Sequence, residues 1–218
     1  MSLFNSRPGL ATLAAGIAAV AWGALVLQLW LTLGIAIGQG RGVGMGLVVY
    51  FGFLTVLTNL VSALVVSTHV AGPGFPGYRR LTSPVTLTTA AVAITIVSLV
   101  YFLILRHVWK PHGLQFAVDA ALHYAVPLLM VVFWALAMRP ETLGWRDAPW
   151  LFAYLAYVFL RGEVFSLYPY EFVDVLKLGY GATLRDAAGM LLAYAAVAGV
   201  FCGLKTRRPW SRKKWGTA

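Results

Sequence analysis

The stretch from Leu47 to Val70, LVVYFGFLTVLTNLVSALVVSTHV, contains no Asp, Glu, Lys or Arg. A helix of about 20 residues crosses the roughly 30 Å hydrocarbon core of a bilayer, so the run is long enough to span one. Five similar windows flank it: Leu10 to Ile37, Pro84 to Arg106, Phe116 to Met138, Pro149 to Leu167 and Thr183 to Leu204. The 218 residues are 60% hydrophobic and only 11% charged, a balance outside the range of soluble domains. The expected fold is an all-α integral membrane protein, one domain over residues 1–218 with six transmembrane helices.

Glycine and proline mark the connections: Gly38, Gly40, Gly42, Gly44 and Gly46, then Gly72-Pro73-Gly74, Pro111-His112-Gly113 and Arg139-Pro140. They leave no room for a soluble domain, and no internal repeat is evident. The first span is too long for a cleaved signal peptide and is expected to remain as a helix. Lys and Arg concentrate on one side, in Arg7, Arg79, Arg80, Arg139, Arg146 and the tail 205–218, which holds Lys205, Arg207, Arg208, Arg212, Lys213 and Lys214. With an even number of spans, that bias predicts cytoplasmic termini in a multi-pass protein of the cell membrane. The net charge of +10 is largely this topology signal. A basic tail beside a helix end is expected on anionic head groups rather than on nucleic acid. The single Cys202 lies in the last span and can form no internal disulfide.

Within the spans, Thr55, His123, Arg161 and Glu163 fall at one depth. At about 1.5 Å rise per residue, Thr55 lies roughly 12 Å below the outer face, His123 roughly 10 Å, and Arg161 roughly 12 Å with Glu163 slightly shallower. Thr55, Thr58 and Asn59 could each be structural, because hydroxyls and amides in such helices bond back one turn or across to a neighbour. An intramembrane histidine is costly, so His123 needs a partner. Asp119 precedes it by one turn, on the same face. Its carboxylate could accept the Nδ1 hydrogen and leave Nε2 free as a base, or Asp119 could be an ordinary acid at a helix N-terminus. Arg161 and Glu163 must face a cavity or a partner, unless the fifth helix ends near Leu160 and leaves them in a loop.

Phe53-Leu54-Thr55 followed by Asn59-Leu60-Val61, Leu122-His123 followed by Val126-Pro127, and Tyr168-Pro169-Tyr170 before the last span occur in an order that resembles one family. It is the androgen-induced protein and androgen-dependent coagulation-regulator group of membrane hydrolases, with its bacterial six-span relatives. The resemblance covers most of the chain. It implies an intramembrane threonine hydrolase acting on fatty acid esters of hydroxy fatty acids or similar lipid esters. The nucleophile it implies is Thr55, with Thr58 open because the segment before the Leu-Val pair is one residue longer here; the base is His123. Where animal members carry Asn-His before the histidine, this chain has Asp119-Ala120, and those members lack the Arg161-Gly162-Glu163 step.

On this reading Asp119 orients His123, while Asn59, Arg161, Glu163, Tyr168 and Tyr170 belong to the substrate site. Arg161 would hold a lipid carboxylate or an oxyanion. Tyr168, Tyr170 and Asp174 would cover the outer mouth, although tyrosines at an interface also form aromatic belts. No cofactor and no metal are expected. Axial haem ligands must share a depth, whereas His69 lies about 33 Å along its helix, far from His123; His107 and His112 have no Cys or carboxylate cluster beside them. A transporter or scaffold with a polar pathway through Arg161, Glu163 and His123 is the non-enzymatic alternative. The glycine-rich first loop follows no strand and contains no lysine, so it is a connection rather than a phosphate cradle.

Overall fold

A computed structural model describes residues 8–137 and 149–206, and every regular element in them is helical. Arg7, Arg139, Arg146 and the tail residues Arg207, Arg208, Arg212, Lys213 and Lys214 lie outside the described residues, as does the Lys205 side chain. Five described helices are long and apolar enough to cross a membrane. They are α1 (Pro8–Gly38), α3 (Leu54–Ala71), α5 (Pro84–Val108), α6 (Gly113–Ala137) and the Val175–Leu204 part of α8 (Val175–Thr206), which is kinked at Gly179 (φ 73°, ψ 162°). Between them lie α2 (Gly42–Gly52), the single turn α4 (Tyr78–Leu81) and α7 (Pro149–Phe165, 17 residues).

The glycine-rich connection is shorter than the sequence suggests. Gly40 and Gly42, with φ of 71° and 74°, turn the chain, and Gly42, Gly44 and Gly46 already belong to α2. α2 lies so close on α1 that a Cβ at Gly46 would stand 2.7 Å from Leu33 Cδ2 and 3.2 Å from the Ala36 methyl. The second apolar stretch is therefore two helices, α2 and α3, joined at Phe53.

α3 is the centre of the bundle, with α1 on one side, α5 on the other and the middle of α6 across from it. Ala63, Val65 and Val66 of α3 meet Ile17 and Ala21 of α1, Ala91 and Ile94 of α5, and Leu122, Val126 and Phe133 of α6, all buried. α8 packs on α5. The α5 start is capped by Ser83, whose Oγ accepts the Thr86 N–H at 3.1 Å, with Pro84 in the first helical position. The outside of the bundle is apolar: Leu103, Leu128 and Leu192 are 64%, 66% and 73% exposed. Surface leucines at that density, on helices of this length, have lipid as their solvent.

Close packing rather than hydrophobic transfer holds such helices together in lipid. Replacing Gly46 by valine should therefore push α2 off α1 and cost about 1–3 kcal/mol by overpacking. A lowered unfolding midpoint in detergent is the expected result; an unchanged midpoint would contradict the contact with Leu33.

Candidate active site

Phe53 has extended backbone (φ −82°, ψ 128°), so α2 ends at Gly52 and a new helix begins at Leu54. A helix end leaves carbonyls without donors, and a helix start leaves N–H groups without acceptors. α7 serves the first set: Tyr157 donates its hydroxyl to Phe51 O at 3.2 Å and Tyr154 donates to Gly52 O at 3.2 Å. Arg161, one and two turns further along α7, is buried against the same end. Its guanidinium packs on Gly52, where a Cβ would lie 2.6 Å from Cζ, and Nη1 donates to Leu167 O at 2.8 Å. No carboxylate lies within ion-pair distance of it among the described residues. Its positive charge instead faces the carbonyl end of α2, where a cation is favoured.

The N–H groups that open α3 have a different partner. The hydroxyl of Tyr170, in the segment between α7 and α8, lies against the Leu54 and Thr55 N–H groups, the Thr55 side chain and Tyr154. Burial raises the Tyr170 phenol above its ordinary value, and those contacts oppose the rise. The ring is held by Phe53 (edge on, 5.8 Å) and Phe172 (stacked, 5.2 Å).

Thr55 sits in this first turn and its Oγ1 lies 3.2 Å from His123 Nε2. Both residues are buried. The tautomer follows from the other side of the ring. His123 Nδ1 is 3.0 Å from the Asp119 backbone carbonyl, which can only accept, so Nδ1 carries the hydrogen and Nε2 accepts from the Thr55 hydroxyl. The orienting group is thus the Asp119 main chain, not its carboxylate as the sequence suggests. That carboxylate is engaged elsewhere, accepting from Tyr101 Oη (3.0 Å), Trp109 Nε1 (2.8 Å) and Gln115 Nε2 (3.0 Å). The i, i+4 spacing lets either acceptor reach the ring, and three donors from outside the turn draw the side chain away.

Proline explains the posture of His123. Pro127 has no N–H to give the carbonyl four residues earlier, so the backbone of α6 widens to a π-turn at Ala121–Ala125. Ser98 of α5 donates its Oγ to the His123 carbonyl at 2.7 Å instead. Tyr101 stacks on the imidazole, with ring centres 3.9 Å apart and planes 18° apart, and lies in a second π-turn, Tyr101–Leu105.

Asn59 fastens the two halves together. Its Nδ2 donates to Thr55 O at 2.8 Å and to Leu122 O at 3.2 Å, tying α3 to the turn that carries His123. Thr58 points away: its hydroxyl donates to Leu54 O at 2.9 Å and Thr55 O at 3.2 Å. Glu163 does not share the buried layer. α7 remains helical through Phe165, and two residues past Arg161 a helix faces nearly the opposite way, so Glu163 is exposed and accepts from Tyr180 Oη at 2.7 Å. Tyr168 lies across Gly162, which leaves no room for a side chain, and takes no part in the Thr55–His123 contact. Asp174 caps α8, its Oδ1 accepting the Leu176 N–H at 3.0 Å.

The space left between Thr55 and His123 is about 10 Å³, walled by Tyr101, Tyr170, Phe172 and Met190. It is room for about one water. Gly52, Ser98, Tyr101, Tyr154 and Tyr157 escaped the sequence reading. The signals were a glycine inside an apolar run and the row Tyr154, Tyr157, Arg161 on one face of α7. Comparison with protein-family models, with curated proteins and with solved structures yields no match.

The coupling of Arg161 to Gly52 is measurable. Gly52→Ala is expected to destabilise the otherwise native chain by about 1–3 kcal/mol, because the guanidinium must leave its place. In an Arg161→Ala background the same change should cost little, a non-additivity read by thermal unfolding of the four variants. Equal costs in both backgrounds would remove Arg161 from the break.

Proposed function

We propose that the chain is an intramembrane threonine hydrolase of lipid esters, with Thr55 as nucleophile and His123 as base, of the kind its sequence resembles. The observation that carries this reading is the buried contact of 3.2 Å between Thr55 Oγ1 and His123 Nε2, with the opposite ring nitrogen held at 3.0 Å by a main-chain acceptor. A threonine hydroxyl becomes a useful nucleophile when a base within hydrogen-bond reach takes its proton. The hydroxyl and the imidazole already have that relation, in the tautomer the chemistry needs.

Thr55 Oγ1 attacks the ester carbonyl while His123 Nε2 takes the proton. The oxyanion develops at the start of α3, where the Leu54 and Thr55 N–H groups and the positive end of the helix favour negative charge. Tyr170 holds that position now, so the substrate carbonyl must displace its hydroxyl. The imidazolium is stabilised through Nδ1–H by the Asp119 carbonyl, and the Asp119 carboxylate one turn away adds negative potential. Collapse of the tetrahedral adduct passes the proton to the leaving alcohol. His123 then deprotonates a water that cleaves the acyl-threonine, releasing the acid and restoring both residues. Arg161 acts at one remove, holding the end of α2 that positions Thr55.

The membrane arrangement that fits this chemistry counts α2 and α3 as one broken crossing and α7 as another, giving six. Both termini then face the cytoplasm of a cell-membrane protein, with Arg79 and Arg80 on that side. The basic tail would rest on anionic head groups.

Thr55→Ala and His123→Ala should each lower turnover of a lipid ester by at least about a hundredfold. Thr55→Ala should also abolish labelling by a fluorophosphonate probe, while Thr58→Val keeps both. Full labelling and turnover in Thr55→Ala would overturn the assignment. Tyr170→Phe tests the occupied oxyanion position: loss of the competing hydroxyl is expected to lower KM with little change in kcat. A fall in kcat with unchanged KM would instead make the phenol a donor to the transition state.

A further inference from the structure

A second, far larger space begins beside the catalytic pair. It measures about 710 Å³ and is almost wholly apolar. Leu57 and Val61 of α3, Ala90 and Ala93 of α5, and Tyr154 and Tyr157 of α7 form its walls. Leu54 lines both this groove and the small space at Thr55 and His123, so the two spaces adjoin at its buried side chain. At the other end are Val85, Thr86 and Arg80, next to the start of α5. α3 and α5 run antiparallel across the short α4 connection, so the groove extends from the level of Leu54 toward the level of Ala71. By helix rise that is about 25 Å.

The side walls are partly open to the outside of the bundle. Val61, Val85 and Tyr157 are among its exposed residues. That outside surface is the lipid-facing one, so a hydrocarbon chain can enter sideways between α5 and α7. The polar groups along the way offer little to a polar ligand: the Thr58 hydroxyl is spent on Leu54 O and the Thr86 hydroxyl on Arg80 O at 2.7 Å. A site of this volume is of the size that takes one small molecule.

Resting on the hydrolase reading, we propose that this groove is the acyl-chain subsite, and that its walls set the length of acid chain the site accepts. The carbonyl carbon sits at Thr55, the chain passes Leu54 and descends between α3, α5 and α7, and its methyl end stops below Arg80. The alcohol part leaves on the side of Tyr170. Val61, two turns or about 10 Å below Leu54, stands where a short chain has ended and a long one has not. Arg80 closes the ruler, because an alkyl end gains nothing by displacing water from a guanidinium.

The experiment uses purified full-length protein in nanodiscs and a series of para-nitrophenyl esters. Val61→Trp should lower kcat/KM for the hexadecanoyl ester about tenfold or more, as expected when a pocket is filled, and leave the butanoyl ester unchanged. Arg80→Leu, at an exposed position, should improve the docosanoyl ester relative to the hexadecanoyl one. In parallel, a hexadecanoic acid with a photoactivatable group at its methyl end should label peptides carrying Val85 to Ala93 in the otherwise native protein, a readout independent of turnover. If the native protein hydrolyses the esters but Val61→Trp affects all chain lengths alike and the label falls elsewhere, the groove is not the acyl site and the hydrolase reading stands. If the native protein hydrolyses no ester in the series, the hydrolase reading fails, and the acyl assignment with it.

Discussion

A backbone broken among buried side chains has little water to satisfy it, and each freed polar group must find a partner within the protein. The break at Phe53 is that problem, and much of the surrounding structure answers it. The carbonyls of Phe51 and Gly52 are taken by Tyr157 and Tyr154, and the negative end of α2 faces Arg161. Gly52 is a glycine because a guanidinium occupies the volume of its side chain. Tyr170 covers the N–H groups that begin α3. Three of these partners come from α7 and the fourth from the segment that follows it. The break therefore explains how α7, which makes few other contacts with α3, holds its position.

The histidine rests on a second defect of the same kind. Pro127 removes one donor, α6 widens, and the carbonyl released is that of His123 itself, which Ser98 then satisfies. A π-turn shifts every following side chain around the helix axis, so the ring reaches Thr55 from a position a regular helix would not give it. Tyr101 joins the two parts of the support, stacking on the ring while its hydroxyl bonds the Asp119 carboxylate. Each defect costs stability on its own. Together they place an imidazole and a hydroxyl in contact inside an apolar bundle.

The helical membrane class was legible because apolar run length is a strong signal that packing cannot reverse. The meeting of Thr55 with His123 was also anticipated, since depth is additive along a helix and both residues lie within a few turns of one face. Azimuth was harder. Glu163 shares the depth of Arg161 but not its direction, which depended on α7 staying helical past Leu160. The Asp119 role was misjudged because i, i+4 spacing brings both its carboxylate and its carbonyl near the ring, and only Tyr101, Trp109 and Gln115 decide between them. The helix break was not legible at all. Gly52-Phe53 looks like any small-large pair in an apolar run, and its meaning lies in Arg161, more than a hundred residues away in the chain.

That break also distinguishes Thr55 from Thr58, the second candidate that the sequence leaves open. A threonine inside a transmembrane helix normally spends its hydroxyl on the carbonyl four residues earlier. Thr58 does so, with Leu54 O at 2.9 Å. For Thr55 the corresponding carbonyl is that of Phe51, which belongs to α2 and is occupied by the Tyr157 hydroxyl. The extended residue between them turns the two helices out of register, so the usual intrahelical bond is not available to Thr55. Its hydroxyl is left to find an acceptor outside its own helix, and His123 Nε2 is that acceptor. A continuous helix through Phe53 would satisfy Thr55 as it satisfies Thr58 and leave the imidazole with no proton to take. The irregular backbone thus does two things at once: it releases the hydroxyl, and it sets the N–H groups of a helix start beside it, where the proposed reaction would build negative charge.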